Sequence, residues 1–286
     1  MKHALSLLPF SLTFFGAFAA ASLMSAADTP APKTLLGSTV FDWAKLQRRV
    51  TPNGERRDVA NNPTATLATF ESHITTLNPG QASHAPHRHP QEELIILREG
   101  TVEIHINGET QRAGAGSTFF YASNDAHAVR NVGEKPATYW VINLATVATY
   151  SADALAAGAS KANRLRSQVF DWEKLAVKPT KIGEQRPVLN GPTVTLENLE
   201  SHITTVNAGQ ASHAPHRHPD EEVILIKEGT LEVTINGAAQ RAGPGSMFFF
   251  GSNDLHGMRN VGDSRATYHV IRMVTAATPK GDASKK

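Results

Sequence analysis

The chain has no cysteine among its 286 residues. That absence excludes disulfides and thiolate ligation, and leaves imidazole and carboxylate as the means of holding a metal. A strong charge of either sign is missing as well. The net charge is +2, from 28 Lys and Arg against 26 Asp and Glu, and the basic residues are scattered rather than gathered into a stripe, so no nucleic-acid partner is expected. Long apolar runs are absent except at the start, where Met1-Lys2-His3 precedes a mostly apolar stretch from Leu5 to Met24 and the small residues Ser25-Ala26-Ala27. Pro9, several Ser and Thr, and the small-residue cluster favour a cleaved secretory signal over residues 1–27 rather than a membrane anchor. The mature protein is therefore expected to be exported, periplasmic or secreted, with no stable membrane insertion.

What the chain does have is histidine, in duplicate. Of 13 histidines, ten fall into pairs 129 residues apart: His73/His202, His84/His213, His87/His216, His89/His218 and His127/His256. The same offset relates Ser38-Thr-Val-Phe-Asp-Trp43 to Ser167-Gln-Val-Phe-Asp-Trp172, and Gly80–Pro90 to Gly209–Pro219 without a substitution. The chain thus divides into repeats at 38–150 and 167–275, an Ala-rich linker at 151–166 suited to a short helix, and a disordered tail at 276–286. Each repeat is long enough to bury a core of its own.

Within each repeat the apolar period is two. Val102-Glu-Ile104-His-Ile106 alternates and ends in Asn107-Gly108, and Leu231-Glu-Val233-Thr-Ile235 ends in Asn236-Gly237, a strong hairpin signal because both central residues of a type I′ turn need positive φ. His105 shares the outward face with Glu103 and reads as a surface residue. Many short strands with Gly-rich turns argue for an all-β protein of antiparallel jelly-roll barrels.

In an extended segment, side chains at i and i+2 leave the same face, so His87 and His89 converge while Arg88 points away. Glu93 stands at the head of the next apolar run, and His127 supplies a third imidazole; His216, His218, Glu222 and His256 repeat the set. Three imidazoles and a carboxylate suit a divalent transition metal, two ions per chain, with manganese or iron favoured and nickel, cobalt and zinc compatible. His84 and His213, at odd spacing from the pair, would face away in a regular strand and are candidates for the rim or for contact with a ligand residue. His73 and His202 could hydrogen-bond a substrate or a metal ligand, or be satisfied in the core or on the outside. Arg57 and Arg186 could bind a substrate carboxylate or form an ion pair.

Gly80…His87-x-His89-x3-Glu93-x6-Gly100 followed by Gly116…His127-x3-Asn131, repeated from Gly209 to Asn260, resembles the two-part signature of the cupins, and the chain resembles a bicupin over nearly all of its length after residue 37. The Pro-x-Gly usual before the last histidine is replaced by Ala122-Ser-Asn124 and Gly251-Ser-Asn253. The resemblance implies two tandem jelly-roll barrels and further association into a homo-oligomer. With both ligand sets intact it resembles the oxalate decarboxylase and quercetin dioxygenase type. The expected function is that of a metalloenzyme of oxygenase or decarboxylase type acting on a small polar organic molecule. The alternatives are a non-catalytic small-molecule-binding module and a hydrolase resembling the bicupin ureidoglycine aminohydrolases.

Overall fold

A computed structural model describes residues 33–280; the expected signal segment 1–27 and the end of the tail lie outside the described residues. The first repeat forms β1 (Thr39–Phe41), β2 (Arg49–Thr51), β3 (Gly54–Asn62), β4 (Thr69–Leu77), β5 (Glu92–Glu99), β6 (Thr101–Ile106), β7 (Glu109–Gly114), β8 (Thr118–Tyr121), β9 (His127–Asn131) and β10 (Ala137–Ala145). After the helix α1 (Ala152–Ala159), the second repeat forms β11 (Gln168–Phe170), β12 (Lys178–Thr180), β13 (Gly183–Gly191), β14 (Asn198–Val206), β15 (Glu221–Glu228), β16 (Leu231–Ile235), β17 (Ala238–Ala242), β18 (Met247–Phe250), β19 (His256–Asn260) and β20 (Ala266–Val274). Each half is a seven-stranded sheet facing a three-stranded one, as expected of tandem jelly rolls.

The strands are organised by which faces are buried. β6 alternates as expected, with Val102 and Ile104 inward. By contrast Glu92 to Leu97 in β5 and Ala137 to Ile142 in β10 are buried without a break, because the large sheets are covered on both faces. One face closes a core inside each barrel, around Leu97, Ile104 and Tyr139 in the first half and Ile226, Val233 and Tyr268 in the second. The other face joins a third core drawn from both repeats, in which Phe70 and Phe249 meet with centroids 5.1 Å apart and ring planes tilted by 48°. Asn107 and Asn236 take φ of 49° and 48°, each followed by a positive-φ glycine, so both Asn-Gly hairpins turn as their sequence requires.

The repeats exchange a strand. β1 pairs with β18 of the second half, Thr39 opposite Phe249, and β11 pairs with β8 of the first, Gln168 opposite Phe120. Repeat boundaries at residues 38 and 167 thus follow the sequence duplication, whereas the sheets assign each opening strand to the other half. Trp43 and Trp172 anchor the exchanged arms by lying flat on Gly245 and Gly116, where a Cβ would come within 2.6 and 2.7 Å of the ring.

Candidate metal centres and the adjoining cavity

In the first half, the chain from Gln81 to Gln91 is irregular and is pinned by isolated bridges, Ala82 to Arg130 and His87 to His127. His87 and His127 exchange both backbone hydrogen bonds, at 3.2 and 3.0 Å, which sets their side chains side by side. The ring centroids of His87, His89 and His127 lie 4.7 to 5.2 Å apart. Glu93 enters from β5, with Oε2 3.3 Å from His89 Nε2 and Oε1 3.7 Å from His127 Nε2. The turn before His127 is carried by Asn124 at φ 63°, which takes the left-handed position in place of a glycine. The second half repeats this: Asn253 has φ 62°, the rings of His216, His218 and His256 lie 4.8 to 5.2 Å apart, and Glu222 Oε2 is 3.2 Å from His218 Nε2.

The donor atoms test the fit to a cation. His127 Nδ1 donates to the Asp125 carbonyl at 2.9 Å and His256 Nδ1 to that of Asp254 at 2.9 Å, so each Nε2 presents a lone pair to the cluster. Both Nε2 atoms are buried without a protein partner, a costly state that a coordinated ion relieves. Three nitrogens lie within 4.8 Å of one another in each half, so the two triads fit a divalent metal. Without metal, burial, followed by the charges of His84, His127 and His89, depresses His87. Burial also pulls His89 down, but its bond to Glu93 and that carboxylate's charge outweigh it and raise the ring. In the second half the same forces push His216 down to about 4 and, with Asp220 and Glu222 as partners, His218 up to about 9. Tyr121 and Phe250 stack on the third imidazoles at 4.3 and 4.2 Å, with interplanar angles of 14° and 11°, and fix their ring planes. Both belong to buried aromatic runs, Phe119-Phe-Tyr121 and Phe248-Phe-Phe250, and the sequence signal for their second role is an aromatic six residues before the last histidine in both repeats.

The remaining candidates separate clearly. His73 and His202 face the barrel interiors, and each gives its Nδ1 to a neighbouring carboxylate, Glu71 Oε1 at 2.7 Å and Glu200 Oε1 at 2.8 Å. His84 and His213 lie edge-on to His87 and His216, at 4.0 and 4.2 Å. His84 lines the cavity mouth, because the chain there is not a strand and the odd spacing does not turn it away. Arg57 and Arg186 stack over Trp43 and Trp172 and donate to the Leu46 and Leu175 carbonyls. They hold the Trp-bearing turns beside them and are not among the residues that line the cavity.

The arginine that does line the cavity is Arg56, one residue earlier and on the inner face opposite Thr75. The cavity encloses about 820 Å³ between the candidate ligands and a polar wall of Glu71, His73, Asn143 and Tyr139. Glu71 accepts from His73, from Arg56 Nη2 at 3.2 Å and from Asn143 Nδ2 at 2.8 Å. Burial pushes this carboxyl up, but the bonds and charges of those partners hold it below its ordinary value. At the matching positions of the second half stand Gln185 for Arg56, Asp220 for Gln91 and Arg272 for Asn143. Arg272 grips Asp220 through two bonds of 2.7 and 3.0 Å, and its Nε lies 3.9 Å from Glu222. The two clusters share their candidate ligands and differ in what surrounds them.

The family described as Cupin domain matches the chain twice, over residues 73–143 and 202–272. Both matches span the clustered histidines and run from the wall histidine to Asn143 or Arg272. The chain is a bicupin of the cupin superfamily. Solved structures with the same architecture include the Escherichia coli protein Ylba, at 12% identity over 88% of the bicupin and 97% of that chain with a TM-score of 0.66. The oxalate decarboxylase of Lactobacillus farciminis, in a formate complex, is 15% identical over 85% of the bicupin and 88% of that chain, with a TM-score of 0.64. That of Bacillus subtilis, a protein with Mn(II) centres, is 15% identical over 85% and 79%, with a TM-score of 0.61. No curated protein matches the bicupin in sequence.

Proposed function

We propose that the bicupin is an exported metalloenzyme of oxygenase or decarboxylase type, that it binds a divalent ion in each half, manganese or iron foremost, and that it turns over a small organic anion in the N-terminal cavity. The observation that carries this reading is the cavity itself, where the four ligand residues on one side face a Glu71–His73 pair and Arg56 on the other. A bound divalent cation would polarise a substrate oxygen and stabilise negative charge developing on it. With such a cation the lining carries Arg56 against Glu55, Glu71 and Glu93, so preference for an anion rests on the ion itself and on the Arg56 guanidinium facing it across the cavity, and not on an excess of positive charge. His73 is held by Glu71 through Nδ1, so its Nε2 is left to take or give a proton in the cavity. In the second half the Arg272–Asp220 pair occupies the position of Asn143 and Gln91, and we assign turnover to the first. Export rests on the apolar stretch Leu5 to Met24 and the small residues after it.

The test supplies Mn(II)- or Fe(II)-reconstituted protein with oxalate and a panel of small hydroxy acids, and follows CO₂ release and O₂ uptake. Turnover should disappear in His87→Ala. In His73→Gln it should fall by about 10²- to 10⁴-fold with the metal content unchanged. The reading fails if no small acid is turned over and none perturbs the Mn(II) resonance of the loaded protein.

A further inference from the structure

The exchanged strands reach the metal-bearing turns of the opposite half through one hydroxyl each. Ser38, at the head of β1, accepts from the Gly251 backbone N–H at 2.8 Å and donates to Asp254 Oδ2 at 2.5 Å. Ser167, ahead of β11, accepts from the Ala122 N–H at 2.9 Å and donates to Asp125 Oδ2 at 2.5 Å. Each serine therefore bridges the two ends of the turn that delivers the third imidazole. Asp254 and Asp125 are also the residues whose carbonyls receive the Nδ1 protons of His256 and His127. The link runs from a hydroxyl of one repeat, through an aspartate of the other, to the tautomer and plane of a ligand ring. Such outer partners orient metal-bound histidines and set their basicity.

We propose that each metal centre is set by the other repeat, with Ser38 positioning His256 of the C-terminal centre and Ser167 positioning His127 of the N-terminal one. The duplication of every bond in the link argues against a chance contact. A serine needed only to seat β1 would have no reason to close a turn whose conformation, with Asn253 at φ 62°, serves the ligand that follows. The N-terminal turn has a second tie to the opposite half. Glu92, fully buried, accepts from the Ser123 N–H at 3.0 Å through one oxygen and from the Thr195 N–H at 3.0 Å through the other. In the second half the equivalent Glu221 turns Oε2 to Thr64 and Thr66 instead. Asp254 has a brace of its own, accepting from Asn236 Nδ2 at 3.0 Å, so each turn has a further tie beside its serine and both serines are informative positions to change. This inference needs metal in both triads and does not depend on the reaction proposed above.

The experiment uses Mn(II) alone as the probe, with binding followed by electron paramagnetic resonance on the full mature chain. In a His87→Ala background, where the C-terminal centre binds, Ser38→Ala should weaken Mn(II) affinity on the order of 10-fold, while Ser167→Ala should leave it unchanged. In a His216→Ala background the two serines should exchange roles. The pair Ser38→Thr and Ser38→Val controls for folding, since the two side chains have one shape and only threonine keeps the hydroxyl. Threonine should restore affinity to within about threefold and valine should not. Equal affinity for the threonine and valine variants would overturn the proposal, as would a Ser38→Ala effect of the same size in both backgrounds, which marks a general loss of structure.

Discussion

His269 stands where the first repeat has Trp140, on β20 between Ile203 and Leu225, and is 1% exposed with neither ring nitrogen bonded. Burial, with the nearby Lys227 charge, pushes this imidazole from 6.5 down to about 3. Because the folded-state value lies below the unfolded one, the unfolded chain takes the proton first. The stability tied to neutral His269 is whole above about pH 6.5 and is lost as the pH falls toward 3. At pH 5 the loss is ~2 kcal/mol, and below pH 3 it approaches ~5 kcal/mol. Leucine has nearly the same volume and nothing to protonate, so His269→Leu should remove this component and leave that of the metal-site histidines untouched. It should also match or exceed the parent at pH 7, since two unpaired buried nitrogens cost ~1–3 kcal/mol. Urea unfolding of both metal-free proteins at pH 7 and pH 5 measures the difference of differences. If parent and variant lose the same stability between those pH values, His269 is hydrated or partnered in solution and the reasoning is wrong.

Metal stoichiometry should be about two ions per chain, with His87→Ala and His216→Ala each removing roughly half; elemental analysis in which one variant loses all the metal and the other none would refute two independent centres. Gly245→Ala places a Cβ against the Trp43 ring at a residue whose φ is 92°, so it should destabilise the protein by ~1–3 kcal/mol. It should also blue- or red-shift tryptophan emission as the arm loosens, and an unchanged melting temperature with unchanged fluorescence would show that the arm does not depend on this contact.

That these histidines and glutamates would meet was legible because metal chemistry restricts residue type and the 129-residue offset repeats the spacing, and the fold brings them together as candidate ligands. Hairpins at Asn107 and Asn236 were legible because only a few residues accept positive φ. The strand exchange was not: Thr39-Val-Phe41 and Gln168-Val-Phe170 share an apolar pattern that suits either barrel, and nothing local says which sheet they join. The choice of Arg57 and Arg186 over Arg56 has a related cause. Identity between repeats picks out what both halves need in order to fold, and these arginines clasp the Trp turns. A cavity wall that has become specific to one half shows instead as a difference, and Arg56/Gln185, Gln91/Asp220 and Asn143/Arg272 are such differences. The positions of His84 and Ser38 required knowledge of an irregular loop and of a contact 216 residues long, neither of which has a local sequence signature.

The exchanged strand also sets an order of events in folding. Gly251 and Ser38, now hydrogen-bonded, are 213 residues apart, so the opening segment of the chain has no sheet to join until β18 exists. A chain made or threaded from its N-terminus holds Thr39–Phe41 unpaired through almost its whole length, with an apolar strand edge exposed meanwhile. The second repeat can close its seven-stranded sheet only by reaching back to the first residues of the fold, and contacts of such separation form slowly. The first strand to emerge waits for β18 before it can be placed, and the C-terminal turn that it latches is finished only after that.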